Sequence, residues 1–154
     1  MYVIRKGPLE TVRSGALPGS GAWDSGTVSA AYAECACPGE SFVEFDATLT
    51  LGSGATTNTA EIVAERSPVS RGDDWQPAEM DIVAHAAPSG GVLVCPMAAV
   101  HRELTTATAM SPSAMTWAVR AYGAQRVRVR ARETGDLTHP AALVVRACPV
   151  AVGA

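Results

Sequence analysis

Between Thr116 and Glu133 the chain reads TWAVRAYGAQRVRVRARE, and the period there is two. Val127, Val129 and Ala131 alternate with Arg126, Arg128, Arg130 and Arg132, which predicts a strand with one dry and one wet face. Just before it, Trp117, Val119 and Ala121 alternate with Thr116, Arg120 and Tyr122, and Gly123 offers a turn, so the two segments are expected to form an antiparallel hairpin. Residues 42 to 51 repeat the pattern, with Val43, Phe45, Ala47, Leu49 and Leu51 opposed to Glu44, Asp46, Thr48 and Thr50; Phe42 falls out of phase. Further strands are expected at 27–35, joined to 42–51 by a turn at Pro38-Gly39, and at 60–66, 79–84, 91–95, 100–106 and 141–152. The one helical candidate, residues 96–104, competes with the strand at 100–106.

Nine or ten short strands at a spacing of roughly 8 to 15 residues are the mark of a sandwich or barrel. The reading is therefore all-β: one antiparallel β-sandwich, jelly-roll-like, over residues 27–154. Residues 1–26 carry Tyr2-Val3-Ile4 and then Gly7, Pro8, Gly15, Pro18, Gly19, Ser20 and Gly21, which predicts an extended N-terminal arm, disordered or laid across a neighbour. Residues 52–59, GSGATTNT, are expected to be a flexible loop.

Composition alters this picture in two ways. The apolar residues are small, with 28 Ala and 17 Val beside 8 Leu, 3 Ile and 2 Phe. At ~25 cal/mol per Å² of buried apolar surface each contributes little, so the core should be thin and help from a partner or oligomer is expected. The net charge of -3 argues against general nucleic-acid binding. Locally, residues 34–81 hold ten acids against Arg66 and Arg71, and residues 120–146 hold six Arg against Glu133 and Asp136, which predicts two surfaces of opposite sign.

Candidate chemistry is sparse. His85, His101 and His139 stand far apart and outside metal-ligand spacings, and no metal or cofactor is expected. Cys35 and Cys37 fall on one side of a strand but lack the second close pair of a zinc site; Cys95 and Cys148 read as small buried hydrophobes. There is no G-x-S-x-G elbow and no phosphate-cradling loop, so an enzyme is not expected. Arg71-Gly72-Asp73 spells the tripeptide that integrins recognise, but chance explains it in a chain with 14 Gly, and it reads as a turn. With no secretory signal and no run of about 18 apolar residues, a cytoplasmic product without a membrane span is expected. Arg126, Arg128, Arg130 and Arg132 admit two readings: pairing with cross-strand acids of the same chain, or an interaction surface offering forked donors to carboxylates of a neighbour.

Two stretches carry a resemblance. AEIVAERSPVSRGDDWQPAEMDI and TWAVRAYGAQRVRVRARETG resemble the β-sandwich domains of tailed-phage virion proteins, in the D-x-W turn at Asp73 to Trp75 and in the late strand of form G-A-x-x-V-R-V-R. A similar late strand occurs in discoidin-like carbohydrate-binding modules. The resemblance implies a non-enzymatic virion protein, foremost a head decoration or cement protein that stabilises the capsid lattice and is assembled in the host cytoplasm. Its partners would be the major capsid protein or tail proteins. A closed homo-oligomer, with a trimer preferred, would be its form. The alternatives are a tail, baseplate or fibre module, or a carbohydrate- or receptor-binding sandwich. Exposure of Trp23, Trp75 or Trp117 in a concave site would favour ligand binding, and burial of all three a scaffold.

Overall fold

The computed structural model describes residues 3–24, 33–36, 42–69, 72, 75–77, 81–85, 91–95, 101–107, 112–121 and 124–153. These form twelve strands: β1 (Val3–Lys6), β2 (Glu10–Ala16), β3 (Ala33–Ala36), β4 (Phe42–Thr50), β5 (Asn58–Ser67), β6 (Gln76–Pro77), β7 (Asp81–His85), β8 (Gly91–Cys95), β9 (His101–Thr106), β10 (Ser113–Arg120), β11 (Arg126–Glu133) and β12 (Ala142–Gly153). Among the described residues there is no helix, and His101 to Leu104, the end of the helical candidate, is strand.

Two antiparallel sheets pack face to face. One has seven strands in the order β1-β12-β4-β10-β7-β8, with β2 also on β12; the other has five in the order β3-β11-β5-β6, with β9 also on β5. Within them, β3-β11-β5-β9 and β4-β10-β7-β8 are the two four-stranded halves of a jelly roll, the chain crossing between sheets at almost every connection. This corrects the expected hairpin. β10 lies between β4 and β7, while β11 lies between β3 and β5 in the other sheet, so their connection is an arch over the end of the core. The alternation is common to both outcomes: Trp117 and Val119 face Val127 and Val129 across the core instead of lying beside them.

The core follows the phase of the strands. Val43, Phe45, Ala47 and Leu49 of β4, Met115, Trp117 and Val119 of β10, and Leu143, Val145 and Ala147 of β12 meet Ala60, Ile62 and Ala64 of β5 and Val127, Val129 and Ala131 of β11. Its one large feature is the stack of Phe45 on Trp117, centroids 5.2 Å apart.

Residues 3–16 are laid along the body of the same chain. Residues 3–16 run along β12 as one interrupted edge strand, with Lys6 opposite Val150 and Glu10 opposite Ala147. The Gly7 N–H donates to the Pro149 carbonyl at 2.8 Å before Pro8 and Leu9 bulge away. A second irregularity sets Val145 opposite Arg13 but Arg146 opposite Thr11, so Val12 is the extra residue of a β-bulge. The bulge turns two consecutive residues toward the interior: Val12 packs on the core and Arg13 is buried.

Arg13 is what fastens this strand. Its Nε donates to Oδ2 of Asp24 at 2.5 Å and its Nη2 to Oδ1 at 3.2 Å, with both side chains fully buried. The remaining donors reach the carbonyls of Gly15 (2.9 Å), Ala16 (3.2 Å) and Leu143 (2.7 Å). Asp24 in turn donates its N–H to the Ala131 carbonyl of β11 at 2.8 Å, so the pair ties the edge of one sheet to the middle of the other. Leu17, also buried, closes the same corner.

Breaking a buried pair strands the surviving charge, at a cost of about 3–5 kcal/mol. Arg13→Met or Asp24→Leu alone is expected to lower the unfolding free energy by that amount in urea titrations. The double variant, which removes both charges, should recover most of the loss.

Candidate functional site

The four arginines singled out by their spacing all lie on the outer face of the five-stranded sheet, where β11 runs between β3 and β5. The register explains what they meet. Arg128 stands opposite Glu65 and Arg132 opposite Glu61, the cross-strand placement in which opposite charges attract. Arg128 Nε donates to Glu65, and Arg132 Nε donates to Glu61 at 2.5 Å. Arg126 donates to the carbonyls of Val69 (3.0 Å) and Gly72 (2.7 Å), and Arg130 to that of Asp24 (3.1 Å). The expected separation of charge into two surfaces is therefore not what this face shows. Acids of β5 and bases of β11 interleave on it, because neighbouring strands present their out-of-core residues to one side.

Two indoles lie on this ladder. The guanidinium carbons of Arg126 and Arg128 are 4.5 and 4.1 Å from the Trp75 ring centre. Those of Arg130 and Arg132 are 5.8 and 4.7 Å from Trp23. These are cation–π distances, and they pin two connections, the one leading to Asp24 and the one between β5 and β6, onto β11. Trp117 is in the core and the other two rings are half-buried. The indoles thus give a mixed answer: Trp117 is in the core, and the half-buried Trp23 and Trp75 serve as staples for arginines.

A concave feature lies on the opposite side of the molecule. A trough of about 380 Å³ on the outer face of the seven-stranded sheet is lined by Leu9, Glu44, Asp46, Thr116, Ala118 and Cys148, with atoms of Phe45 and Trp117. The register builds it: Arg146, Asp46 and Thr116 form one row across β12, β4 and β10, and Cys148, Glu44 and Ala118 the next. The small side chains of the second row make the depression, and Leu9 overhangs it from the bulge. The Cys148 thiol donates to the Gly7 carbonyl at 3.3 Å and is buried, as a small hydrophobe would be. Lys6 donates to Glu44 at 2.8 Å, which raises its pKa, and Arg146 pairs with Asp46. The trough thus offers donors and acceptors in neutral, exposed pairs.

The third cluster closes one end of the sandwich. Glu133, buried, accepts from Thr59 N (2.9 Å), Gly135 N (3.0 Å), Ala141 N (3.0 Å) and Asn58 Nδ2 (3.2 Å). Asn58 also receives the Gly52 N–H at 2.7 Å and donates to the His139 carbonyl at 2.9 Å. A Cβ at Gly52 would stand 2.1 Å from the His139 carbonyl oxygen, so the segment expected to be a flexible loop is a tight turn that needs its glycine. On the surface above, His139 Nδ1 lies 3.0 Å from Asp136 Oδ2, and this contact is the main cause of a lowered Asp136 pKa.

Of the other sequence candidates, Gly72 has φ +86° and is exposed, as a turn glycine should be. Arg71, Asp73 and Cys37, and the side chains of Cys35, Cys95, His85 and His101, lie outside the described residues. Among the described residues no group of three or more His, Cys, Asp or Glu could hold a metal.

By architecture the chain is a β-sandwich of jelly-roll order. No family model matches it, and no curated protein does. Among solved structures it is similar to the CBM22-1–GH10 modules of Clostridium thermocellum endo-1,4-β-D-xylanase 10B, at 8% identity and a TM-score of 0.38, covering 94% of this chain and 29% of that one. It is also similar to the K1 cleaved adhesin domain of Lys-gingipain from Porphyromonas gingivalis W83, at 8% identity and TM-score 0.37, covering 97% of each chain. A third is the CBM22-1 xylan-binding domain of Paenibacillus barcinonensis Xyn10C, at 9% identity and TM-score 0.34, covering 98% of this chain and 85% of that one.

Two outcomes follow from these contacts. Trp75→Leu keeps an apolar side chain but loses two guanidinium contacts, and should cost about 1–2 kcal/mol in denaturant unfolding. Asp136 has a folded-state pKa below its unfolded one, so its contribution to stability is present above the unfolded value and is lost as pH falls through the folded value. An NMR titration should place its carboxyl midpoint below the ordinary ~3.9, and His139→Ala should move it back up.

Proposed function

We propose that the chain is a non-catalytic adhesion module serving as a structural protein of a phage virion, foremost a head decoration or cement protein. The observation that carries this reading is the edge of the seven-stranded sheet. Residues 3–16 pair with β12 on one side, and among the described residues no strand pairs with the other. On that strand Ile4 is 64% exposed and Leu9 54%. An open edge with apolar side chains standing on it suits docking by strand addition, in which main-chain hydrogen bonds give affinity and side chains give selectivity. The bulges at Pro8-Leu9 and Val12 confine such pairing to short β1, a restraint against run-on aggregation.

In this role the module binds the assembled lattice and stabilises it by mass action. Its partners are other virion proteins, the major capsid protein or tail proteins, and further copies of itself, for which a trimer is the expected closed form. Its place is the virion, assembled in the host cytoplasm. The likeness of residues 60–82 and 116–135 to virion sandwiches supports the setting, and Ile4 and Leu9 support the mode of docking.

A second reading, a carbohydrate- or receptor-binding module, is favoured by the trough. Glu44, Asp46 and Thr116 set acceptors and a hydroxyl along it beside Leu9, a mixture suited to a polyhydroxylated ligand with an apolar face.

Light scattering after size exclusion separates the two. The wild-type chain is expected to self-associate with rising concentration, and Ile4→Lys with Leu9→Lys to return it to monomer without lowering its melting temperature. A wild-type chain that stays monomeric throughout would remove the assembly reading. Binding on a glycan array that Ala118→Trp abolishes would put the second reading in its place.

A further inference from the structure

One arginine of the ladder has its fork in a long ion pair and no hydrogen bond. Arg126 uses Nε and Nη2 on two carbonyls, Arg128 gives Nε to Glu65, and Arg132 brings both Nε and Nη2 within 2.5 Å of Glu61. Arg130 differs. Its Nε donates to the Asp24 carbonyl, its Nη1 stops 4.0 Å from Glu65 Oε1, and neither terminal nitrogen has a hydrogen-bond acceptor among the described residues. A separation of 4.0 Å is beyond hydrogen-bond length. Its side chain is 29% exposed.

We propose that Arg130 is a docking point for a carboxylate on an acidic segment of a partner protein. Three features of the site make it suited to this. The guanidinium is oriented in advance, tied through Nε to the backbone and flanked by Trp23, so little side-chain freedom is left to lose on binding. Its planar pair of terminal nitrogens matches a carboxylate in bidentate geometry. Its neighbours Glu61 and Glu65 are held at short range by Arg132 and Arg128, so neither takes the Arg130 fork in a hydrogen bond. The site lies on the sheet opposite to the trough, and its partner chemistry rests on the assembly reading.

The test is titration of the full chain with a glutamate-rich peptide at low and high salt, read by calorimetry and by the Trp23 indole N–H in NMR. The wild-type chain should bind, more weakly as salt rises. Arg130→Ala and Arg130→Lys should each weaken binding about tenfold, the worth of a charge-assisted bidentate contact. The lysine variant keeps the charge and its stem, and so keeps the test intact if the alanine variant folds poorly. Arg120→Ala, which removes one exposed charge elsewhere, should change affinity less than about twofold. The proposal is overturned if wild type does not bind at low salt, if Arg130→Lys binds as wild type does, or if Arg120→Ala weakens binding equally. Self-association measured on the same variants keeps the two ideas apart: assembly that persists while the peptide ignores Arg130 sinks the docking point alone.

Discussion

The buried pair of Arg13 and Asp24 is the constraint on which the rest of the molecule depends. A sandwich made of alanine and valine has little apolar area to spare, and its widest sheet carries an edge strand held by pairing with β12 alone. Among the described residues, Val12 and Leu17 supply the hydrophobic contact with the core there. The guanidinium adds what the small side chains cannot. It reaches from β2 to a residue hydrogen-bonded to β11, and it satisfies three carbonyls on the way. Such a pair is costly to desolvate and gives modest net stability, but its geometry admits few alternatives, so it selects one placement of residues 3–24 over others.

From Asp24 the constraint passes to the outer face of the second sheet. The residue that clasps Arg13 inward is preceded by Trp23, which lies outward on Arg130 and Arg132, and its carbonyl receives Arg130 Nε. One dipeptide therefore joins the interior clasp to the exterior ladder. Trp75 holds the connection after β5 to the same ladder. The ladder would repel itself if it were bare, since four like charges stand along one strand. Glu61 and Glu65 on β5 relieve this, and the indole faces accept what charge is left.

Much of this was legible in the sequence, and the reasons differ from residue to residue. The strands were readable wherever one face is dry: Val43 to Leu49 and Val127 to Ala131 are buried in the phase the alternation predicts. Which strand pairs with which was not, because an arch and a hairpin place the same residues toward the core; Trp117 and Val127 look alike in either. Glu133 and Asn58 share the phase of the buried sets of β11 and β5, a signal that could have marked them as interior, although their charge and polarity suggest the surface. Arg13 left no such mark. A bulge breaks the period at Val12, so its burial cannot be counted out along the strand, and Asp24 is eleven residues away with glycines between. The trough was invisible for a related reason: it is a product of register across three strands, and of the smallness of Ala118 and Cys148, neither of which carries chemistry of its own.

These observations bear on where a partner can act. The outer face of the five-stranded sheet is rich in charge, but most of that charge is satisfied within the chain, and a partner would have to displace short contacts to use it. The outer face of the seven-stranded sheet is the reverse. Its ion pairs, Lys6 with Glu44 and Arg146 with Asp46, are exposed, and exposed pairs hold with about 1 kcal/mol or less. They can be opened at small cost, and beside them stand the open edge and Leu9. Rigidity and availability thus fall on opposite sheets. Contact over a broad area therefore costs less on the seven-stranded side, and on the other side the loosest ion pair of the ladder is that of Arg130 with Glu65.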